Sequence, residues 1–253
     1  MSFKDHFSRH SAAYRQFRPS YPAALYEFLA GLAPARTLAW DCATGNGQAA
    51  VGLARHFAQV VATDASAAQL AERQTDPRVV YACATAEHAP IKSGSCALVT
   101  VAQAAHWFNL PAFYAEVSRV GSPLAVIALW TYGRGIVDPA VDQDVADFNR
   151  DVIGPYWPPE RHAVDAGYRT LPFPFERCAA PSFELAVEWS AEDLVNYIGT
   201  WSAVGRYRDA VGGDPLQDLR ARLAVSWADG KSRSVRWPLD LIVGRVASKE
   251  LIA

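Results

Sequence analysis

The chain has 253 residues, 51% hydrophobic and 20% charged, enough to bury one substantial core with an insertion but cramped for two independent domains. Its formal charge of -2 and its small basic cluster, Lys231-Ser232-Arg233-Ser234-Val235-Arg236, exclude an electrostatic nucleic-acid footprint. No apolar run approaches the roughly 20 residues of a membrane span, and Met1-Ser2-Phe3-Lys4-Asp5-His6 lacks the basic-then-apolar order of a secretory signal, so the expectation is a soluble, cytoplasmic protein with a small-molecule partner.

From Thr37 to about Val126, apolar runs alternate with helical spacing, the pattern of βα units stacked into a parallel sheet. Thr37-Leu38-Ala39-Trp40 reads as the first strand, and Ala50, Val51, Leu53, Ala54 and Phe57 recur on one helical face behind a glycine turn. Val60-Val61-Ala62-Thr63 is the second strand, Ser66 caps a helix running to about Arg73, and Val79-Val80-Tyr81-Ala82 is the third strand. Ala97 to Val101 is the fourth. Asn109 caps a helix with Leu110, Phe113, Tyr114, Val117 and Val120 on one face, Gly121 stops it, and Leu124 to Leu129 is the fifth strand.

Gly, Pro and aromatic residues then cluster from Tyr132 to Pro174, which reads as a cap holding a helix from about Pro139 to Asp151 and the helix-breaking loop Gly154-Pro155-Tyr156-Trp157-Pro158-Pro159. Phe183 to Trp189 is a sixth strand. Ser190 with Asp193 predicts a capping box for a helix carrying Leu194, Tyr197, Ile198 and Trp201, and Asp214-Pro215 opens another carrying Leu216, Leu219 and Leu223. Leu239 to Val243 closes the sheet, antiparallel because no crossover helix leads to it. The expected fold is one α/β domain over residues 1–253, Rossmann-like and doubly wound, with a mostly parallel seven-stranded sheet. Residues 37–130 form its cofactor-binding core, 131–174 and 190–230 its helical cap, and 175–189 and 235–246 its closing strands. The four cysteines, Cys42, Cys83, Cys96 and Cys178, form no CxxC pair, so buried reduced thiols are expected and no metal site is indicated.

The turn Asp41-Cys42-Ala43-Thr44-Gly45-Asn46-Gly47 joins an acid at a strand end to two glycines and a helix starting at Gln48. Glycine lets backbone approach a ligand at positive φ, and the helix N-terminus offers N–H groups to a carboxylate. Asp64, ending the second strand, can accept from both hydroxyls of a ribose, with Ala65 following it. Gly45-Asn46-Gly47-Gln48-Ala49-Ala50 equally satisfies the dinucleotide pattern GxGxxA, with an acid about 20 residues on, so an NAD(P)-dependent oxidoreductase is the alternative. Asp41 favours a cationic amino-acid ligand, because a carboxylate beside a pyrophosphate is unhelpful. The plainer reading is that both acids merely end strands.

These residues resemble the class I S-adenosylmethionine-dependent methyltransferases of the small-molecule group. Asp64-Ala65-Ser66, Ala84-Thr85-Ala86-Glu87-His88-Ala89-Pro90 and Gln103-Ala104-Ala105-His106-Trp107-Phe108 are similar to motifs of that family. The last is similar to the trans-aconitate methyltransferase-like version, as are Tyr14-Arg15-Gln16-Phe17-Arg18-Pro19-Ser20-Tyr21-Pro22 and Trp201-Ser202-Ala203-Val204-Gly205-Arg206-Tyr207. The resemblance implies S-adenosylmethionine as cofactor, Ala86 and Glu87 beside its adenine and Gln103 near its methionine part. It also implies N-terminal lid helices over residues 1–30, with Tyr14 or Arg18 touching the ligand. Ala43 stands where the family has its first glycine, and Ala97 where an Asp commonly starts the fourth strand.

Methyl transfer from a sulfonium needs alignment and exclusion of water more than a strong base. His106, at the carboxyl edge of the fourth strand, is the candidate general base, with pocket packing as its plainer role. Cap aromatics suit an apolar acceptor. The trans-aconitate methyltransferase-like resemblance implies that Arg134, Arg161, Arg206 and Arg208 could hold an organic acid through paired hydrogen bonds, with a solvated surface as the plainer role of each. A binding module without catalysis is a further alternative.

Overall fold

The protein's structure, a computed structural model, describes residues 19–246. Tyr14 and Arg18, expected to touch a ligand, lie outside the described residues, as does most of the expected lid. The chain enters through α1 (Ala23–Leu32), which follows the extended Pro22 and buries Leu25 and Leu29 completely.

Five strands run parallel: β1 (Leu38–Cys42), β2 (Gln59–Asp64), β3 (Val79–Cys83), β4 (Cys96–Ala102) and β5 (Gly121–Thr131). Their burial explains their composition. β4 is buried along nearly its whole length, as an unbroken apolar strand covered on both faces should be. Three short helices fill the crossovers: α2 (Gln48–Leu53), α3 (Ala67–Ala71) and α4 (Leu110–Val120). Ser66 accepts the Gln69 N–H at the start of α3, and Asn109 accepts the Ala112 N–H at the start of α4. The small buried face Ala49, Ala50 and Leu53 lets α2 sit close to the sheet.

The strand order is β3-β2-β1-β4-β5-β8-β6, and β1 lies between β2 and β4, where the winding reverses. That reversal opens a crevice beyond the carboxyl ends of β1 and β4, the usual ligand place in open α/β sheets. The last strand, β8 (Arg233–Arg245), pairs antiparallel with β5, as its connection implies. The sheet has eight strands rather than seven, because the stretch before β8 is divided. The two-residue β6 (Glu176–Arg177) pairs with the end of β8, while β7 (Phe183–Trp189) pairs with its beginning. β8 is therefore longer than its apolar stretch Leu239 to Val243 suggests; Arg236 and Pro238 sit in it opposite Ala186 and Glu184.

The cap is helical. α5 (Pro139–Asp147) starts on the Asp138 side chain and continues as a π-turn, Phe148–Val152; α6 (Arg161–Asp165) follows. α7 (Ala191–Gly199) begins with the expected capping box of Ser190 and Asp193, and α8 (Ser202–Val211) and α9 (Leu216–Ser226) complete the layer. Val141, Phe148, Leu194, Ile198, Leu219 and Trp237 form its own core, distinct from the two on the faces of the central sheet. Of the cysteines, Cys42 and Cys96 are buried but Cys83 is exposed, since β3 is the sheet edge; all four are free thiols. No helix among the described residues is long and apolar enough to cross a membrane.

Candidate functional site

A cavity of about 750 Å³ runs along the carboxyl edge of the sheet and under the cap, within the roughly 300–1,000 Å³ range of small-ligand clefts. One half is lined by Ala43, Gly45, Asp64, Ala65, Ser66, Gln69 and Ala84 to Glu87. Gln103, His106, Trp107 and Phe108 form the middle, and Tyr132, Trp157, Arg161, Tyr197, Thr200 and Trp201 the far half.

The nucleoside-sized half is built around Asp64. Its Oδ2 accepts the Gly45 N–H and its Oδ1 the Ser66 N–H, both at 2.8 Å, so the carboxylate is held rigidly at the end of β2. Gly45 has φ +58, and a Cβ there would meet nothing nearer than Gln69 Oε1 at 3.9 Å. Its bare backbone thus borders open space, the close approach that the glycine turn was expected to provide. Ala65, Ala84 and Ala86 add an apolar shelf. This half offers a carboxylate, backbone without side chain, and small apolar walls.

Two expected ligand contacts stand behind that wall instead. Asp41 is fully buried and lines no part of the cavity; Thr44 Oγ1 donates to its Oδ2 and Thr100 Oγ1 to its Oδ1, at 2.5 and 2.8 Å. Thr100 is its register partner across β4, which turns the carboxylate into the sheet rather than outward. Burial raises its pKa to about 6, against the lowering effect of both hydroxyls and the Ala50 N–H. Gly47 is the second correction. At φ +85 it begins α2, its N–H donates to the Thr44 carbonyl, and a Cβ there would lie 2.1 Å from the Tyr81 hydroxyl. It shapes the turn and packs on β3.

The other expected residues divide similarly. Gln48 borders a smaller neighbouring cleft, with its Nε2 donating to the Pro19 carbonyl at 3.1 Å. Glu87 lines the main cavity while its Oε1 accepts the Asn109 N–H at 3.1 Å, so it also helps start α4. Gln103 stands at φ +58 between both clefts, with its Nε2 donating to the Tyr132 carbonyl at 3.0 Å. Ala97 is simply core, 1% exposed. Of the four arginines considered, Arg161 lines the cavity; Arg208 pairs with Asp214 on the surface.

Ala43 adopts φ +53. A non-glycine residue there costs about 1–2 kcal/mol, partly offset by the extra chain entropy that glycine loses on folding, about 0.4–1 kcal/mol. Ala43→Gly is therefore expected to stabilise the protein by about 0.5–1 kcal/mol, read as a melting-temperature rise of about 1–4 °C. A fall would show that the alanine methyl, which lines the cavity, packs better than its backbone is strained.

His106 sits in the 3₁₀ turn Ala105–Trp107 after β4, its ring centroid 4.7 Å from that of Trp107. Its Nδ1 bonds the hydroxyl of Tyr168 at 2.9 Å. Desolvation, aided by the charge of Arg161, lowers its pKa to about 3, so the ring is neutral at physiological pH and a weak proton store. Sequence reasoning missed Tyr168: it lies in a stretch of Gly, Ala and charged residues, and only the turn after α6 brings it under β4.

The strand order, the reversal beside β1 and the acid-and-glycine turn define a Rossmann-like α/β protein built to hold a nucleoside-bearing ligand. The profile of the methyltransferase domain family matches residues 40–129. A methyltransferase candidate from Dictyostelium discoideum is 33% identical over 251 residues, covering 96% of this chain and 95% of that one. A solved structure described as a type II methyltransferase candidate from Anaeromyxobacter dehalogenans has 43% identity and a TM-score of 0.86, covering 91% and 99% of the two chains. A Saccharomyces cerevisiae protein named a candidate S-adenosylmethionine-dependent methyltransferase is 30% identical over 131 residues, 48% of this chain and 45% of that one. The chain belongs to the class I S-adenosylmethionine-dependent methyltransferases. It is an enzyme of methyl transfer, with S-adenosylmethionine as its cofactor.

Proposed function

We propose that the chain methylates a small organic molecule held in the aromatic half of the cavity, while its glycine-turn half holds the cofactor. The observation that carries this reading is the continuity of one cavity from Asp64 to Trp157 and Trp201, with Gln103 and His106 at the junction. When bound, S-adenosylmethionine supplies a methyl group already activated on a sulfonium.

The chain's own residues do the rest. Asp64 accepts from the ribose hydroxyls, the Gly45 backbone and Ala43 let the ligand lie against the turn, and Ala65, Ala86 and Glu87 border the adenine. Gln103 lies toward the methionine part. Asp41 acts from beneath: it ties Thr44 to β4 and places a negative charge under the ligand's ammonium. Trp107, Trp157, Tyr197 and Trp201 exclude water from the acceptor half, which strengthens every electrostatic interaction within it.

An organic-acid acceptor rests on Arg161, the sole Lys or Arg among the described residues lining the cavity. That guanidinium is partly engaged, its Nε with Asp165 at 2.9 Å and its Cζ 4.4 Å from the centroid of the Trp157 ring. Titration calorimetry with S-adenosylhomocysteine and with NAD(H) tests the cofactor half, and a labelled-methyl screen over carboxylates, phenols, alcohols and amines tests the acceptor half. Binding of the dinucleotide without the nucleoside would overturn the assignment. Turnover of a small acceptor would remove the non-catalytic alternative.

A further inference from the structure

We infer that Glu116 and Arg119, which stand on α4 and do not line the cavity, are positioning residues for cofactor binding. Together they fix the loop after β3, whose first residues, Ala84 to Glu87, form one wall of the cavity. The inference rests on the proposed assignment of that wall to the adenine.

Between Cys83, where β3 ends, and Cys96, where β4 begins, the chain forms no strand, yet Ala86, Ala89 and Ile91 are buried. Backbone polar groups in such a stretch need partners from elsewhere. α4 supplies them through one pair of side chains. Glu116 Oε1 accepts the Ala89 N–H at 2.7 Å, and Arg119 Nη2 donates to the Ala89 carbonyl at 3.1 Å. Arg119 Nη1 donates to the Ile91 carbonyl at 2.8 Å and to the Ser93 hydroxyl at 3.1 Å. The pair, three residues apart on the helix, also holds itself together: Arg119 Nε donates to Glu116 Oε2 at 2.7 Å and Nη2 to Oε1 at 2.6 Å, a two-pronged pairing that suits the planar guanidinium. The start of the same helix reaches the loop a second time, where Glu87 Oε1 accepts the Asn109 N–H at 3.1 Å.

An ion pair on an exposed helix face contributes little, but this one differs in its burial and in where its hydrogen bonds go. Glu116 is 7% exposed, and the Arg119 hydrogen bonds hold its carboxyl below the ordinary carboxylate range, so the ionised form is the one that accepts from Ala89. Apart from Glu116, every hydrogen-bond partner of Arg119 belongs to the loop. Ala89 follows Ala86 by three residues, so the clamp lies at most about 10 Å of chain from the cavity wall. The near end of the loop is pinned separately, by the Ala84 N–H donating to the Asp64 carbonyl at 3.0 Å. The pair therefore governs the part from Thr85 onward. With that part already in place, the base of the cofactor meets a finished wall. Without the clamp, binding has to order the loop first, and affinity falls with the fraction of molecules whose wall is formed. The loss falls on the base and spares the ribose, since Asp64 and Gly45 hold each other directly.

Hydrogen exchange on the free protein reads the loop itself. The Ala89 amide is expected to exchange about tenfold faster or more in Arg119→Gln and Glu116→Ala, while the amides of β4 keep their rates. Binding reads the consequence. Affinity for S-adenosylhomocysteine is expected to fall about tenfold in both variants. Affinity for S-ribosylhomocysteine, which keeps the ribose and the amino acid but lacks the base, is expected to change less than about twofold; its binding is read by displacement of labelled S-adenosylhomocysteine. Arg119→Lys, the milder change to the fold, keeps the charge without the fork and is expected to show the same pattern at a smaller size. Arg222→Gln, which breaks the exposed pair with Asp218, is expected to leave both affinities unchanged. An Ala89 amide that keeps its rate in folded Arg119→Lys and Arg119→Gln would overturn the clamp. A loosened loop with unchanged affinity for S-adenosylhomocysteine, or an equal fall for both ligands, would overturn the positioning role, the equal fall marking a general loosening of the fold. Failure of the unaltered protein to bind S-adenosylhomocysteine would strike the cofactor assignment, and the positioning role with it, while the exchange rates still decide the clamp.

Discussion

Replacing Asp64 by alanine is expected to weaken S-adenosylhomocysteine binding by about 1–3 kcal/mol, roughly 5- to 150-fold in the dissociation constant. The size follows from the group's position. Asp64 is 9% exposed, and its two oxygens already bind the Gly45 and Ser66 N–H groups, so ribose hydroxyls would meet a carboxylate that needs no reordering. Because the same oxygens hold the turn, a loss of affinity alone could reflect a loosened Gly45. Comparing the ribose ligand with its 2′-deoxy analogue separates the two effects. The affinity difference between those ligands should largely disappear in Asp64→Ala, the signature of a pair that interacts directly. A persistent difference would move the hydroxyl contacts elsewhere on the cavity wall, and unchanged affinity for both ligands would refute the ribose assignment.

The sheet was legible because its parallel strands write themselves as apolar runs: Val79 to Ala82, at the half-exposed edge, and Ala97 to Val101, buried on both faces, are each extended only slightly in the structure. The helix ends announced by capping side chains, Ser66, Asn109 and Ser190, stand where the sequence puts them. What escaped has physical reasons. α8 carries Arg206, Arg208 and Asp209 and buries only Ala203 and Val204, too narrow a stripe to register as periodic. β8 continues through Arg236 and Pro238 because β7 offers it a partner, which no local propensity records. At the site, the sequence points to Gly45 in the turn and to Asp64 at the next strand end, and the structure joins the two by a hydrogen bond. The orientation of Asp41 was not legible, since it depends on Thr100, whose hydroxyl reaches it from the neighbouring strand. Likewise Tyr168 and His106 are separated by 62 residues and meet only after the cap has folded.

Asp41→Asn is expected to make the protein more stable and a poorer binder. With a folded pKa of about 6 against an ordinary 3.8, the carboxylate gives up about two units, or about 3 kcal/mol, to remain ionised inside the fold at pH 7. Desolvation is the main cause, and the neighbouring charge of Asp64 adds to it; Thr44, Thr100 and the Ala50 N–H recover part. An amide removes the charge while both threonine hydroxyls can turn to suit it, so a gain of about 1–3 kcal/mol at pH 7 is expected in denaturant titration. The sign with pH is distinctive. Between the unfolded and folded pKa the folded state binds more protons, so this group's contribution to stability rises as pH falls through 6 toward 3.8 and is flat below. The unaltered protein should therefore regain about 1 kcal/mol on going from pH 7 to 5 that Asp41→Asn does not, closing the gap between them. Affinity for S-adenosylhomocysteine should move the opposite way, several-fold weaker in the variant at pH 7, because the buried charge no longer faces the ligand's ammonium through the turn. Equal affinities would confine Asp41 to anchoring Thr44, whereas a variant less stable than its parent at pH 7 would show that the hydrogen bonds from Thr44 and Thr100 outweigh the desolvation.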